Sequence, residues 1–262
     1  MIAPDALAGL ELARLGRRLE TRDEVDSTME VAWSLAAEGA AEGLVVVARV
    51  QRAGRGRQRR PWASPPGGLW TSVLLAPGHP EFPAPALPIV GGLASAEAIE
   101  ETSGLAAQVR WPNDCVVAGR KLAGVLVESR NLPGLGQRFV MGLGIDVDVA
   151  PDDLGPDLAG IATSMSAETG RTFDRTTVLR ALVLRLDRRY DELLAGATTG
   201  IEVAWLRRSS TLGRPAELKT PEGVLSGRIV GITIDGLITI DLGAGRIRRF
   251  RGEHCTLVKE IR

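Results

Sequence analysis

The chain has 262 residues, of which 44% are hydrophobic and only 4% aromatic, enough apolar material for one large domain and a second small one. Its 32 acidic and 32 basic side chains cancel, which excludes an overall basic field that would draw the molecule onto nucleic acid. No apolar run approaches the roughly 20 residues of a membrane-spanning helix, and residues 1–18 lack the pattern of a signal peptide. We therefore expect a cytoplasmic protein that binds neither nucleic acid nor a membrane.

The cysteines and histidines are too scattered to predict a metal site. Cys115 and Cys255 stand in no Cys-x-x-Cys spacing, and His79 and His254 are isolated from each other along the chain. This pattern argues against a disulfide framework, a zinc site and a histidine-based metal centre. The sequence therefore predicts no resident metal.

The first part of the chain predicts helices alternating with strands. Ser27 is followed three residues later by Glu30, a spacing typical of a capping box at the start of a helix. Gly39 is suited to end that helix. The continuous β-branched run over 44–50 indicates a buried strand. In chain order the predicted elements are a short helix over 6–16, the helix that Ser27 begins, strands over 44–50 and 69–76, and an alanine-rich helix over 89–102.

From residue 108 the pattern changes to strands, followed by one long amphipathic helix. A turn at 118–120 predicts a hairpin, and the apolar positions of the long helix lie along one stripe. The predicted elements are strands over 109–111, 115–117, 121–129 and 138–149, and a helix over 174–194.

Beyond residue 208 the character of the chain changes again, to short strands separated by glycine-containing turns. Five strands are predicted between residues 215 and 259, with hairpin turns at 235–236 and 243–245. Such a pattern is typical of a small β-barrel. We therefore predict an α+β protein with a large domain over 1–208 and a small barrel over 209–262.

Residues 51–62, here called the arginine loop, have no usable periodicity and are rich in arginine and glycine. Six arginines and no acid occur between residues 49 and 60, and Gly54 and Gly56 separate Arg55 from its neighbours. Planar guanidinium groups suit phosphate, and glycines let the backbone wrap an anion. The alternative is a solvated basic loop or a nucleic-acid patch. The arginine loop is not a Walker loop, since no Gly-Lys-Ser/Thr follows. Because six like charges repel, we expect the loop to be mobile until an anion binds.

Three further segments could carry chemistry. Asn113 and Asp114 form a turn that can be purely structural. Lys121 opens a half-buried strand with Gly124 close behind, which suits a carboxylate or phosphate, although a surface lysine at a sheet edge is the simpler interpretation. Ser27 and Thr28 precede a helix, where one hydroxyl caps the helix and a ligand could take the other.

The order and spacing of these segments decide between the alternatives, because the sequence resembles the biotin protein ligases. The residues that carry the resemblance are Asp26-Ser27-Thr28, Gln51-Arg52-Ala53-Gly54-Arg55-Gly56-Arg57 with Trp62, Trp111-Pro112-Asn113-Asp114, and Lys121-Leu122-Ala123-Gly124-Val125-Leu126. Fainter matches are Gly142-Leu143-Gly144-Ile145 and Ala162-Thr163-Ser164. The resemblance extends from about residue 20 to the end of the chain.

The resemblance implies a fold and a reaction. The fold is a mixed, largely antiparallel sheet with helices mainly on one side, followed by a small Src-homology-3-like barrel. The reaction forms biotinyl-5'-AMP from biotin and ATP, with Mg²⁺ carried by the nucleotide, and transfers biotin to a lysine of a biotin carboxyl carrier protein. A homodimer is possible. Because 25 residues precede Asp26, we expect no N-terminal DNA-binding domain and no repressor role.

It also implies roles for particular residues. The catalytic residues would be Lys121, against the reacting carboxyl and phosphate oxygens, and Arg55 and Arg57, which would bind the adenylate phosphate. Other substrate-binding roles would fall to Ser27, Thr28 and Gln51 at the biotin head, Gly54 and Gly56 in the loop, Trp62 over the nucleotide, Asn113 at the nucleotide, Asp114 beside the lysine or Mg²⁺, and Gly124.

Three positions depart from the family pattern, and three alternative functions remain open. Met29 and Asp146 stand where the family usually has asparagine, and Arg59 stands where it usually has a third glycine. A lipoate–protein ligase shares the fold and the adenylation step but lacks the Gly-Arg-Gly-Arg segment in this form. A nucleic-acid-binding module using the arginine loop, and an inactive homologue that binds biotin, are the remaining alternatives.

Overall fold

The fold is organised around two β-sheets and the helices that cover the larger one. The computed structural model describes residues 1–79, 81–155, 158–252 and 254–260. In these ranges the larger sheet has seven strands in the order β1-β2-β3-β7-β6-β5-β4. The strands are β1 (Arg18–Val25), β2 (Leu44–Gln51), β3 (Leu69–Leu75), β4 (Gln108–Arg110), β5 (Asp114–Val117), β6 (Arg120–Leu132) and β7 (Gly136–Ile145).

Only the β1–β2 pair of this sheet is parallel in the described ranges, and the other five pairs are antiparallel. The predicted mixed, largely antiparallel sheet is therefore confirmed. Strand β1 was not predicted, because its sequence RLETRDEV is mostly charged and it lies half-exposed at the sheet edge. Edge strands bury too little apolar surface to show the alternation of a strand.

Strand β2 is buried on both faces, which explains its continuous apolar sequence. Val45 and Val47 belong to the main apolar core, whereas Leu44 and Val46 belong to a second cluster with Trp33. Alternate residues of a strand point to opposite faces. Helix α1 (Thr28–Ala37) therefore covers one face of the sheet, and the main core, which includes residues of α2 (Leu87–Ser103) and α4 (Arg175–Leu194), covers the other.

Helix α1 begins where the sequence predicted, but its capping box is only half formed. The Ser27 hydroxyl accepts a hydrogen bond from the backbone N–H of Met29 at 3.3 Å. The Glu30 carboxylate pairs with Arg55 at 2.7 Å instead of returning to the cap. The helix ends at Ala37, and Gly39 follows with a φ of 92°.

The predicted helix over 6–16 is wrong. The segment forms turns, because the backbone N–H groups of Ala13, Arg14 and Leu15 donate to the Asp187 carboxylate of α4 at 2.6, 2.8 and 2.7 Å. These donors are therefore not available for i→i−4 helical bonds. Leu15 itself is fully buried.

The remaining helices stack outside the sheet. Helix α2 begins two residues before the prediction, at Leu87, and ends before Gly104, whose φ of 77° suits a left-handed C-terminal cap. Ion pairs tie α4 and α5 (Thr198–Arg208) to α2; Arg189 contacts Glu97 at 2.5 Å. Helix α3 is the short segment Met165–Thr169. No helix in the described part of the chain is both long and apolar enough to cross a bilayer.

The second sheet is antiparallel throughout its described residues and has the order β11-β10-β9-β8-β12. Its strands are β8 (Pro215–Thr220), β9 (Gly223–Ile232), β10 (Leu237–Asp241), β11 (Ile247–Arg251) and β12 (Thr256–Glu260). The five strands agree with the prediction within a few residues, which confirms the α+β class with a C-terminal β unit. The domain boundary between residues 208 and 209 stays a prediction.

Trp111 joins the two sheets. Its backbone N–H donates to Thr211 Oγ1 at 3.1 Å, and its indole Nε1–H donates to the Gly236 carbonyl at 3.2 Å. The Trp111–Pro112 peptide bond is cis. The apolar core is continuous across this junction, since Trp111, Ile229 and Ile238 belong to one buried cluster. The C-terminal sheet therefore packs directly against the strands that carry the Asn113-Asp114 turn.

Candidate functional site

A cavity of about 710 Å³ opens where the start of α1, the arginine loop, strands β5–β7 and residues 154–162 meet. Ten of the twelve predicted site residues line it: Ser27, Thr28, Gln51, Gly56, Arg57, Trp62, Asn113, Asp114, Lys121 and Gly124. In the described part of the chain, neither Gly54 nor Arg55 lines the cavity. The cavity therefore brings together segments that are far apart in the sequence.

A hydrogen-bonded cluster of neutral polar groups forms one wall of the cavity. Gln51 Oε1 accepts from the backbone N–H of Thr28 at 2.9 Å and lies 3.0 Å from its hydroxyl, and the same hydroxyl lies 2.8 Å from Ser72 Oγ. Gln51 Nε2 donates to Ser64 Oγ at 2.9 Å. These contacts fix the orientation of the Gln51 amide, so the wall presents both donors and acceptors in set positions.

Three polar atoms of the lining are buried without a hydrogen-bond partner among the described residues. They are Thr71 Oγ1, Trp62 Nε1 and Asp146 Oδ1. Buried polar groups are nearly always hydrogen-bonded in folded proteins, so such orphans at a cavity indicate where a ligand's polar atoms would bind. Thr71 was missed by sequence reasoning, because a threonine in a strand is ordinary and nothing near it in the sequence suggests a ligand.

Two facing glycines, Gly124 of β6 and Gly144 of β7, form a flat platform for the Trp62 indole. The two residues are direct partners across the antiparallel pair. A Cβ at residue 124 would stand 3.1 Å from the Trp62 ring, and one at residue 144 would stand 2.8 Å from its Nε1. A side chain at residue 144 would therefore displace the Trp62 ring, and one at residue 124 would crowd it.

Lys121 lies at the centre of the site, between a carboxylate and an aromatic ring. Its Nζ is 2.6 Å from Asp114 Oδ1 and 4.8 Å from the centre of the Trp62 ring. Asp114 is held in turn by Arg110 at 3.2 Å. The backbone of Lys121 is tied to residues 161–163 by two hydrogen bonds of 2.8 Å. The ammonium group is thus preorganised rather than free to swing through solvent.

Asn113 is anchored to β6. Its side-chain Nδ2 donates to the Val125 carbonyl, and its backbone carbonyl accepts from the Val125 N–H at 2.9 Å. These bonds hold the side-chain oxygen in place within the cavity lining. The turn is therefore structural, as the simpler interpretation has it, and it also positions Asn113 and Asp114 beside the site.

Arg55 lies on the outer side of the arginine loop in this structure. Its Nε and Nη2 donate to the two oxygens of Glu128 at 3.0 and 3.1 Å, and Nη2 lies 2.7 Å from Glu30. The hydrogen bond that Arg55 donates to Glu128 raises the pKa of the guanidinium, although partial burial opposes the shift. Gly54 packs against the far end of the loop, where a Cβ would stand 2.5 Å from the Trp62 carbonyl oxygen. The ion pairs of Arg55 and this close approach accompany the closed position of the loop.

The charge repulsion expected within the arginine loop is offset by acids from outside it. Arg52 pairs with Asp26 at 3.1 Å, and Arg55 pairs with Glu128 and Glu30. None of these acids lies within the loop, so the sequence of the loop alone did not indicate them. In the closed loop, Arg52 and Arg55 are therefore neutralised by acids of the surrounding chain.

Arg57 and Gln58 connect the arginine loop to the C-terminal sheet. Arg57 Nη2 donates to the Gly252 carbonyl, and it lies 3.5 Å from the Cys255 carbonyl. Gln58 Nε2 donates to Thr256 Oγ1 at 3.0 Å. Burial lowers the pKa of Arg57, and the nearby Asp114 carboxylate opposes the shift. The C-terminal sheet thus closes one side of the site.

Asp146 and Met29, two of the departures from the family pattern, also line the cavity. Burial raises the pKa of the Asp146 carboxyl well above its usual range, and the Lys121 ammonium only partly opposes this. The Met29 side chain packs against Gly142, where a Cβ would stand 2.9 Å from its sulfur. The third departure, Arg59, adopts a left-handed φ of 57°, a conformation that glycine takes without strain.

Comparisons with known proteins identify the family. Residues 22–146 match the model of the biotin/lipoate A/B protein ligase family. The chain is 33% identical over 238 residues to the bifunctional ligase/repressor BirA of Bacillus subtilis (strain 168), covering 90% of this chain and 73% of that protein. The chain belongs to the biotin protein ligase family. It is also 33% identical over 225 residues to the biotin--[acetyl-CoA-carboxylase] ligase of Paracoccus denitrificans, covering 84% of this chain and 93% of that one.

A solved biotin protein ligase has the same fold. The enzyme from Aquifex aeolicus in complex with biotin and ATP superposes with a TM-score of 0.78 at 30% identity, covering 94% of this chain and 100% of that chain. The resemblance drawn from the motifs is thereby confirmed. In the described part of this chain, no group of three or more His, Cys, Asp and Glu side chains is arranged to hold a metal ion.

Proposed function

We propose that this chain is an ATP-dependent ligase that converts biotin to biotinyl-5'-AMP and transfers it to a lysine of a biotin carboxyl carrier protein. The observation that carries the proposal is one cavity with two different walls. The cluster around Thr28 and Gln51 suits an uncharged head with donors and acceptors, and the Lys121 ammonium suits anionic oxygens. Biotin combines such a head, a urea, with a carboxylate.

The first step joins biotin to AMP. A carboxylate oxygen of biotin attacks the α-phosphorus of ATP, which is bound with its Mg²⁺. The bond from the α-phosphorus to the bridging oxygen breaks, and pyrophosphate leaves with the electron pair. The Lys121 ammonium would contact the carboxylate and the α-phosphate, bringing two anions together and stabilising the charge that develops between them.

The second step moves the biotinyl group to the carrier. The amine of the carrier lysine attacks the carbonyl carbon of the mixed anhydride, the bond to the AMP oxygen breaks, and AMP leaves as a dianion once the new amide nitrogen has lost its proton. No nucleophile from this chain is needed. The closed arginine loop and the Trp62 indole would exclude water, which otherwise hydrolyses the anhydride.

The remaining predicted residues would act by positioning. Ser27, Thr28 and Gln51 would bind the ureido head, and Asn113 the nucleotide. Asp114 would orient the lysine, to which it is already bound at 2.6 Å. Arg57 and the backbone of Gly56 line the cavity and would approach the phosphate. Arg55 would reach the phosphate only after releasing Glu128, so in the closed form we propose that it holds the loop.

The partner and the compartment follow from the same proposal. A carboxyl carrier domain supplies the acceptor lysine, and its identity within a carboxylase is left open by the chain. We propose a cytoplasmic location, which the two free, buried cysteines suit. A homodimer rests on the resemblance alone, and light scattering of the purified chain would test it.

A lipoate–protein ligase is the second candidate, because the matched family includes it. The flat platform of Gly124 and Gly144 does not distinguish the two acids, but the polar wall does. The ring end of lipoate is a disulfide with no strong donor or acceptor, so the Gln51 amide and the Thr28 hydroxyl would be left without a ligand. The nucleic-acid alternative is weakened because two arginines of the loop, Arg52 and Arg55, are paired with acids.

ATP–pyrophosphate exchange with each acid tests the proposal. We expect exchange that depends on biotin and is absent with lipoate. Addition of a carrier domain should then yield an adduct on one lysine, detected by mass spectrometry of the tryptic peptide. Exchange that depends on lipoate would move the protein to the second candidate. Exchange with neither acid would reject the ligase function.

A further inference from the structure

Asp146 occupies a position in the cavity wall that allows its side chain little freedom. It follows β7 directly, so Gly142, Gly144 and Asp146 alternate along one face of the chain. Its backbone is held on both sides: its N–H donates to the Leu122 carbonyl at 2.9 Å, and its carbonyl accepts from the Met165 N–H at 2.9 Å. Only 2% of the residue is exposed. The carboxyl group therefore cannot swing into solvent.

The charges around Asp146 are already paired with other groups. Lys121 of β6 is bound to Asp114 of β5 at 2.6 Å, and Arg120 of β6 is bound to Glu168 of α3 at 2.8 Å. In the described part of the chain Asp146 makes no ion pair within 4.0 Å, and its Oδ1 has no hydrogen-bond partner. Two carboxylates, Asp114 and Asp146, thus share the neighbourhood of one lysine, and only one of them is bound to it.

A buried carboxylate with neither an ion partner nor a full set of hydrogen bonds is strongly disfavoured in its charged form. We propose that Asp146 is a neutral carboxylic acid that donates a hydrogen bond from the cavity wall to an anionic oxygen of the bound substrates. The inference rests on the proposed function, which supplies two such anions, the carboxylate of biotin and a phosphate of ATP.

The chemistry of the neutral acid explains why an aspartate serves at a position where the family usually has asparagine. A protonated carboxyl group has one O–H donor and one acceptor, as an amide side chain has a donor and an acceptor. An ionised carboxylate would only accept, and it would repel an incoming anion. Burial raises the pKa of the Asp146 carboxyl, so the donor persists above the pH at which an exposed aspartate ionises, and it is lost once rising pH ionises the group.

The test compares wild type with Asp146→Asn, whose amide keeps a donor at every pH. Biotin-dependent ATP–pyrophosphate exchange is measured from mildly acidic to alkaline pH. We expect the activity of wild type to fall as pH rises through the raised pKa of Asp146, and Asp146→Asn to remain active without that decline. Asp148→Asn is the matched control, since Asp148 binds the backbone N–H of Phe173 outside the cavity lining, and it should keep the wild-type profile.

Two outcomes would overturn the inference while leaving the ligase function intact. One is an Asp146→Asn profile identical to that of wild type, which would mean that no titrating donor at residue 146 is used. The other is a folded but inactive Asp146→Asn, which would mean that the charged carboxylate is required. Absence of exchange in wild type itself would instead reject the proposed function.

Calorimetric titrations with biotin alone and with ATP alone identify the anion. An affinity that falls with rising pH in wild type but not in Asp146→Asn assigns the hydrogen bond to the carboxylate if biotin shows it, and to a phosphate if ATP shows it. Equal pH dependence of wild type and variant for both ligands would count against the inference.

Discussion

The Trp62 indole lies against Gly144 so closely that a side chain at residue 144 could not share the space. A Cβ there would stand 2.8 Å from Nε1 and 3.0 Å from two ring carbons. Because Trp62 in turn lies 4.8 Å from the Lys121 ammonium, the glycine determines where the ring sits and the ring helps to determine where the charge sits. A backbone position on β7 thus controls the reacting centre.

Gly144→Ala should displace Trp62 and open the arginine loop. Overpacking of this kind destabilises a folded protein by about 1–3 kcal/mol, and we expect adenylation to fall more than overall stability does. Exchange assays and urea denaturation measure the two effects. Gly200→Ala is the control: no atom lies within 4 Å of its added Cβ, so in α5 it should stabilise the chain by about 0.5–1 kcal/mol. Wild-type activity in Gly144→Ala would contradict the platform role.

Lys121→Ala should lower the rate of biotin adenylation by roughly 10²–10³-fold, the range found when one preorganised donor to a developing charge is removed. The ammonium is held by Asp114 at 2.6 Å, so its loss removes a fixed charge. Single-turnover formation of biotinyl-5'-AMP measures the effect. Lys219→Ala removes an exposed lysine of β8 and should leave the rate unchanged. A Lys121→Ala rate within a few-fold of wild type would exclude a catalytic role for this lysine.

Glu128→Gln should loosen the arginine loop by weakening its bond to Arg55. A two-point guanidinium–carboxylate pair that is partly buried contributes about 1 kcal/mol, so amide hydrogen exchange across residues 51–62 should rise roughly five-fold. Glu24→Gln is the control, because its 3.4 Å pair with Arg52 has both side chains largely exposed. Equal exchange in the two variants would show that Arg55 does not hold the loop.

The stability of wild type relative to Asp146→Asn should depend on pH. The folded chain binds a proton at Asp146 more tightly than the unfolded chain does, since burial raises this pKa. Protonation of Asp146 stabilises the folded chain fully below the ordinary aspartate pKa of about 4, and this stabilisation is lost as pH rises toward the raised pKa. Between these two pKa values, each pH unit should lower the free energy of unfolding of wild type by about 1.4 kcal/mol relative to that of Asp146→Asn. Urea midpoints at a series of pH values measure the difference, and a constant difference would contradict it.

Asp187→Ala should destabilise the fold although it is remote from the cavity. It removes the acceptor of three backbone N–H groups, at Ala13, Arg14 and Leu15. Hydrogen bonds to a charged group contribute about 1.5–3 kcal/mol each, and water can recover part of this, so we expect a loss of about 3 kcal/mol by thermal denaturation. Asp191→Asn, in a half-exposed pair with Arg14, should cost under about 1 kcal/mol. A similar loss of stability in both variants would contradict a structural role for the Asp187 carboxylate.

The elements with a strong local signal could be predicted from the sequence. The β-branched run of β2 and the apolar stripe of α4 need no distant partner to be recognised. Strand β1 and the turns over residues 6–16 could not be predicted, because their conformation depends on β2 and on Asp187, which lie far along the chain. Helix α5 was not predicted, since its apolar residues do not form one clear stripe: Ile201 and Trp205 are buried, whereas Val203 is exposed.

The site shows the same division. The motifs predicted which segments meet, and ten of the twelve predicted residues line one cavity. The direction of the Arg55 side chain could not be predicted, because its partners Glu30 and Glu128 lie on α1 and β6. Thr71 has no motif, and its significance appears only when its hydroxyl is found buried without a partner in the described lining. The functional roles of all these residues remain predictions.

The contact between Asp187 and residues 13–15 determines when those residues can fold during synthesis. The ribosome releases residues 13–15 long before α4, so the carboxylate that holds them does not yet exist when they emerge. Strand β3 can pair with β2 as soon as both are made, but its other partner, β7, comes later. Residues 13–15 are therefore made before α4 but fixed only after it. A nascent chain stalled before residue 187 should remain open to proteases around residues 13–15.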